Sequence, residues 1–185
     1  TLEDLEEDLE DDTGVPVRLP LDQKGADILL ITPSADFFAE PHVDGLLGYA
    51  KVFHQSGLTW TLSSKASEAA NFAMFIGSHD QMGKIAERIR DAALELGVKR
   101  IIVGECGHAW RVAYNFWDTL VGPFDFLDQN YPIPQHICEF TYNLLQDGQL
   151  NLDKSANDHM TLTYHDSCNV SRGSRMGDTP GGQFM

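Results

Sequence analysis

Ala26-Asp27-Ile28-Leu29-Leu30-Ile31-Thr32 is an apolar run of strand length that Pro33 stops. A run this apolar, with no polar alternation, belongs to a strand buried on both faces. Downstream, Val43, Leu46, Leu47, Ala50 and Phe53 recur at helical spacing, and Gly57 closes that helix. Leu58-Thr59-Trp60-Thr61-Leu62 alternates as a strand does. Ser78 and Gln81 have the spacing of a capping box, and Met82, Ile85, Ala86, Ile89, Ala93 and Leu96 then share one helical face up to Gly97. Arg100-Ile101-Ile102-Val103 is a second buried strand. Helices are expected at about 107–121 and 134–147, and Met160-Thr161-Leu162-Thr163-Tyr164-His165 reads as a last strand. Strand and helix in alternation imply an α/β fold with an open, mainly parallel sheet and helices on both faces.

Upstream of this core, residues 1–25 read as an acidic linker, with a short edge strand near Val15–Leu19 confined by Pro16 and Pro20. The cysteine-containing α/β domain then spans 26–185. Thr1 in place of Met, and the turn-rich close Gly177-Asp178-Thr179-Pro180-Gly181-Gly182-Gln183-Phe184-Met185, read as a segment of a longer protein.

Composition excludes several classes. The 185 residues carry 13 bases and 28 acids, a formal charge of −15. Eight of the acids fall within the first twelve residues, which leaves 20 acids against 13 bases for the rest. No basic surface dominates, so nucleic acid is not an expected partner. No apolar run reaches the ~18–20 residues that span a bilayer. The acidic start is not a signal peptide. Three widely spaced cysteines, Cys106, Cys138 and Cys168, form neither a secreted disulfide framework nor a zinc pattern. They suit a reducing, cytoplasmic-side compartment.

In an open α/β sheet, ligands bind beyond the carboxyl ends of the strands. Those positions hold Thr32-Pro33-Ser34, Ser63-Ser64, Gly104-Glu105-Cys106-Gly107-His108 and His165-Asp166-Ser167-Cys168. Two of the three cysteines sit at expected strand ends, each with a histidine and an acid close by. Cys106 lies between glycines at the start of a helix, whose dipole favours a thiolate. The competing reading is a small thiol in a tight turn. Around Cys168, Arg172 and Arg175 would stabilise an anion; the competing reading is an N-cap cluster of Asp, Ser and Asn. Cys138, among Ile137, Phe140, Tyr142, Leu144 and Leu145, reads as a packed core thiol. Trp110, Tyr114 and Trp117 read as core. His42, His54, His79 and His159 are isolated and carry no assigned chemistry, and His136 precedes a helix.

Gly104-Glu105-Cys106-Gly107-His108-Ala109-Trp110-Arg111 and Tyr164-His165-Asp166-Ser167-Cys168-Asn169-Val170-Ser171-Arg172 resemble the catalytic subunits of heterodisulfide-reductase-like complexes, in the branch that accompanies dissimilatory sulfite reduction at the membrane. The resemblance runs from about Ala26 to the end. It implies a cysteine-rich domain of the Cys-Cys-Gly type, present as a first half plus the start of a second. In that family such domains hold a noncubane [4Fe-4S] cluster that cleaves disulfide or trisulfide bonds. Cys168 matches the isolated first cysteine of the cluster-binding copy, with His165-Asp166-Ser167-Cys168 standing where the family has His-Asp-Pro-Cys. The Cys-Cys pair and Cys-x-x-Cys would lie past Met185. The earlier copy is degenerate: Ala70-Asn71-Phe72 replaces Cys-Cys-Gly, and Cys106 alone remains of its later cysteines.

The implied function is reduction of a sulfur–sulfur bond on a sulfur-carrier protein. Electrons would come from an integral-membrane, quinol-linked subunit, with the chain held at the cytoplasmic face through the complex. The implied roles are Cys168 and Arg172 at the cluster, with Cys106, His108 and His165 as catalytic groups. A cluster needs several thiolates, so this segment alone is not expected to hold one. Two other readings remain. One is a metal-free thiol hydrolase or transferase, with Cys106 as nucleophile, a histidine as base and Glu105 orienting it. The other is a non-catalytic module that docks neighbouring subunits.

Overall fold

The computed structural model describes residues 1–32, 39–130, 133–165 and 167–174. A four-stranded parallel sheet organises them: β1 (Ile28–Ile31), β2 (Trp60–Thr61), β3 (Arg100–Val103) and β4 (Gln135–His136), in spatial order β2-β1-β3-β4. The helices are α1 (Leu2–Thr13), α2 (Glu40–Ser56), α3 (Asn71–Phe75), α4 (His79–Leu96), α5 (Gly107–Val121) and α6 (Ile137–Gln146). A π-helical turn, Cys168–Arg172, follows. The expected α/β architecture is present.

β1 is buried along its length and β3 from Ile101 to Val103, because each side of the sheet is covered. Successive strand side chains point to opposite faces, so β1 and β3 feed two separate cores. Leu29, Ile31, Ile101 and Val103 join Ala86, Ile89 and Ala93 of α4 and Trp110 and Trp117 of α5. Ile28, Leu30 and Ile102 join Leu46 and Phe53 of α2, Phe140 and Leu144 of α6, and Leu9 of α1. Pairing runs Ile28 to Arg100 through Ile31 to Val103. At the amino ends, Asp27 ties the three strands together. It accepts from Lys99 Nζ at 2.6 Å and from Thr59 Oγ1 at 2.7 Å. The Lys99 bond, then the Thr59 bonds, hold its carboxyl down at about 2.

Four expectations need correction. The acidic run is helix α1, not a linker. Leu2, Leu5 and Leu9 line one helical side, and Leu9 is fully buried against the second core. Glu6 anchors the following chain by accepting from Arg18 at 2.8 Å and from the Leu19 amide at 2.7 Å. The edge pairing expected at Val15–Leu19 falls slightly later, as a parallel bridge between Leu21 and Leu62. Helix α6 begins at Ile137 rather than 134, because Gln135 and His136 extend the sheet as β4. Residues 160–165 are not a strand. They are exposed, with Leu162 and Tyr164 each 71% accessible, and they have no ladder partner among the described residues. A strand is stabilised by its neighbour's hydrogen bonds, and alternation alone does not supply them.

Candidate functional site at the carboxyl edge of the sheet

Beyond β3 the chain turns through Gly104 and Glu105, and Cys106 becomes the N-cap of α5. Its carbonyl accepts from the Trp110 amide at 2.9 Å, closing the first turn. The Cys106 thiol is half-buried and packs against the first core. The helix N-terminus expected beside this thiol is present. His108, one residue into the helix, is exposed, and its ring meets Phe75 of α3 edge-on at 4.9 Å.

The Cys168 turn sits on the start of α5. Ser167 caps it, accepting from the Val170 amide, and the Ser171 and Gly173 amides donate to the carbonyls of Ser167 and Cys168. Arg111 of α5 reaches Asn169 Oδ1 at 3.4 Å, and Asn115 Nδ2 donates to the Gly173 carbonyl at 3.0 Å. The structure therefore brings Gly107 and Arg111 of the first motif against Ser167, Asn169 and Val170 of the second. Cys168, Arg172 and His165 are all exposed. Asp166 and Arg175 lie outside the described residues, as do Pro33 and Ser34 after β1.

Several groups at this edge have partners that the sequence does not indicate. Glu105 is held from α2: His42 Nδ1 lies 2.9 Å from Oε1, and the Tyr49 hydroxyl donates to Oε2 at 2.8 Å. The same hydroxyl accepts from the Glu105 amide at 3.0 Å. His42 is thus not isolated. His42 and Tyr49 are seven residues apart, two turns on one side of a helix, and that spacing was the only available signal. His136 ends β4 almost fully buried, its ring edge-on to Trp110 at 5.4 Å and its Nδ1 accepting from the Cys138 amide at 3.2 Å. Burial pushes its pKa down to about 4, against a smaller opposing pull from Glu105. The imidazole is therefore neutral at pH 7 and carries its proton on Nε2.

Cys138 is not the core thiol expected. Ile137, Phe140 and Leu144 are the buried positions of α6, and Cys138 faces out at the helix start. Partial desolvation, with the nearby Glu105 charge, raises its pKa. All three cysteines are thiols, none in a disulfide. A cavity of about 280 Å³ opens beyond β1 and β2, walled by Leu30, Thr32, Leu62, Ser63, Ser64 and Ser67.

Among the described residues, no three of His, Cys, Asp or Glu come close enough to hold a metal ion. No helix among them is long and apolar enough to cross a membrane.

No protein-family model matches the chain, and no solved structure matches it. Among curated proteins, it is 36% identical to the Hdr-like menaquinol oxidoreductase iron-sulfur subunit of Archaeoglobus profundus, over 94% of this chain and 36% of the relative. It is 36% identical to the second Hdr-like menaquinol oxidoreductase iron-sulfur subunit of Archaeoglobus fulgidus, over 94% of this chain and 37% of the relative. A more distant match is one of the subunits that form the dihydromethanophenazine:CoB–CoM heterodisulfide reductase of Methanosarcina mazei, 23% identical over 71% of this chain and 31% of the relative. The chain spans about a third of the length of these relatives. Along nearly all of its own length, the chain is similar to heterodisulfide-reductase-like iron–sulfur subunits.

Proposed function

We propose that this chain is the part of an iron–sulfur oxidoreductase subunit that presents Cys168 to a sulfur–sulfur bond. The substrate is a disulfide or trisulfide on a sulfur-carrier protein, and the setting is sulfite or sulfate respiration. Electrons come from a quinol-linked membrane partner, and the subunit lies at the cytoplasmic face through its complex. The carrying observation is the seating of the Cys168 turn on the start of α5, the helix that Cys106 caps. Cleaving an S–S bond to two thiols consumes two electrons and two protons. His108 and His165, both exposed, are the proposed proton donors, and Arg172 is proposed to steady negative charge on the reduced site.

The described residues do not make a cluster site by themselves. One exposed thiol on a π-helical turn supplies one ligand, whereas a [4Fe-4S] cluster takes several thiolates. In this reading Cys168 and Arg172 serve the noncubane [4Fe-4S] cluster, and the other thiolates come from elsewhere in the full-length subunit. The test is Cys168→Ala in the full-length protein within its complex. Iron content should fall by one cluster, one electron-paramagnetic-resonance signal should vanish, and reduction of the carrier disulfide should drop at least about 100-fold. Unchanged iron and spectra would overturn the assignment.

The thiol-hydrolase reading has one observation in its favour, since Glu105 does orient a histidine, namely His42. Activity that survives iron chelation and disappears in Cys106→Ser would favour it.

A further inference from the structure

Helix α5 starts on Gly107, and its backbone conformation there does not call for glycine, since φ lies outside the left-handed region. Space calls for it. A Cβ at 107 would lie 3.1 Å from Asn169 Cβ, 3.2 Å from Val170 Cγ2 and 3.3 Å from Ser167 Oγ. All three atoms belong to the segment that carries Cys168. Gly173 repeats the arrangement at the far end of the turn. A Cβ there would meet the Asn169 carbonyl oxygen at 3.0 Å, Asn169 Cα at 3.2 Å and Arg111 Cδ at 3.4 Å.

The contact is tied from both sides. Arg111 and Asn115 of α5 bond to Asn169 and Gly173. Val170 packs on the first core, and the buried Ser174 hydroxyl donates to the carbonyls of Asn169 and Val170. Other helix-interior glycines differ: Gly48 and Gly83 have open space where a Cβ would go.

We propose that Gly107 is a positioning residue. Together with Gly173 it lets the Cys168 turn lie directly on the start of α5, and so holds Cys168 in one site with Cys106. The degenerate first motif is thereby the platform for the second. This inference rests on the proposed role of Cys168, and its test separates the two.

The test is hydrogen exchange by mass spectrometry on the full-length protein in its complex, read over residues 167–174. In Gly107→Ala the amides of Ser171 and Gly173 should exchange at least about fivefold faster, while α5 itself keeps or gains protection, because Ala is the better helix former. Gly83→Ala should leave residues 167–174 unchanged. Val170→Ala removes one of the crowded atoms, so in the Gly107→Ala background it should restore part of the protection rather than add to the loss. If Gly107→Ala does not fold, Gly173→Ala serves in its place and should show the same acceleration.

Unchanged exchange at Ser171 and Gly173 overturns the proposal, as does a loss spread equally over α4 and β3. Faster exchange with normal iron content and normal resonance signals keeps the seat and removes Cys168 as a ligand. Loss of the signal in Cys168→Ala, with unchanged exchange in Gly107→Ala, keeps the ligand and removes the seat.

Discussion

His136 should make this protein lose stability on mild acidification, before its carboxylates titrate in bulk. The ring is almost fully buried and its pKa is held at about 4, whereas in the unfolded chain it returns to roughly 6.5. Between those values the unfolded state binds a proton that the folded state refuses. Stability therefore rises with pH across this window and falls as pH drops from about 6.5 toward 4. The full difference corresponds to about 3 kcal/mol, of which about 2 kcal/mol is already lost at pH 5. The assay is urea denaturation followed by circular dichroism, at pH 7.5 and pH 5.0, on the native sequence and on His136→Gln. Glutamine keeps an acceptor for the Cys138 amide and does not titrate. The native protein should lose about 2 kcal/mol more than the variant between the two pH values. Asp27 does not interfere, since it titrates near 2. Glu139 has a carboxyl pKa raised by burial. It acts with the opposite sign above its unfolded value and is present in both proteins. An equal pH dependence in the two would refute the assignment of a buried, neutral imidazole.

Four further outcomes are expected. Asp27→Asn should cost about 2 kcal/mol at neutral pH, measured by denaturant midpoint, and the difference should shrink as the pH falls from about 4 toward 2, where the native carboxylate itself is protonated. Gly83→Ala, inside α4 with open space around it, should raise stability by about 0.5–1 kcal/mol; a lower melting temperature would count against that reading. Cys138→Ala should change stability by less than about 0.5 kcal/mol, because the side chain is exposed. A thiol reagent should label Cys138 in the folded protein, slowly at neutral pH because its pKa is raised.

The parts legible in sequence were those governed by local pattern. The run Ile28–Ile31 reads as a doubly buried strand because both of its faces are in fact covered, and the stripe along α4 matches its buried residues. Cys106 as a helix start followed from a buried strand, two glycines and a helical pattern after them. Other parts depended on partners far along the chain. Glu105 meets Tyr49 across 56 residues and His42 across 63, and nothing at either end announces the pairing. Gln135 and His136 are polar, and two residues are too few to show a period, so β4 was hidden in the helix that follows it. Cys138 turned on helical phase: Ile137, Phe140 and Leu144 face inward, and the cysteine falls just outside that arc. The leucines at 2, 5 and 9 did carry a helical spacing, but it was masked by the acids between them.

The strand order has a consequence for how this chain comes off the ribosome. β1 lies between β2 and β3, and its longer pairing, over all four residues, is with β3, which begins 72 residues after Ile28. At about 5–20 residues per second, synthesis takes several seconds to cover that interval. Within it, Ile-Leu-Leu-Ile has no strand partner before Trp60 is made, and afterwards only the two-residue β2, with one side uncovered. A short, uncharged, β-prone segment left waiting in this way is a template for association with other nascent chains. Its yield in cells should therefore respond to elongation rate and to chaperones that shield apolar strands, more than to any change in the finished sheet.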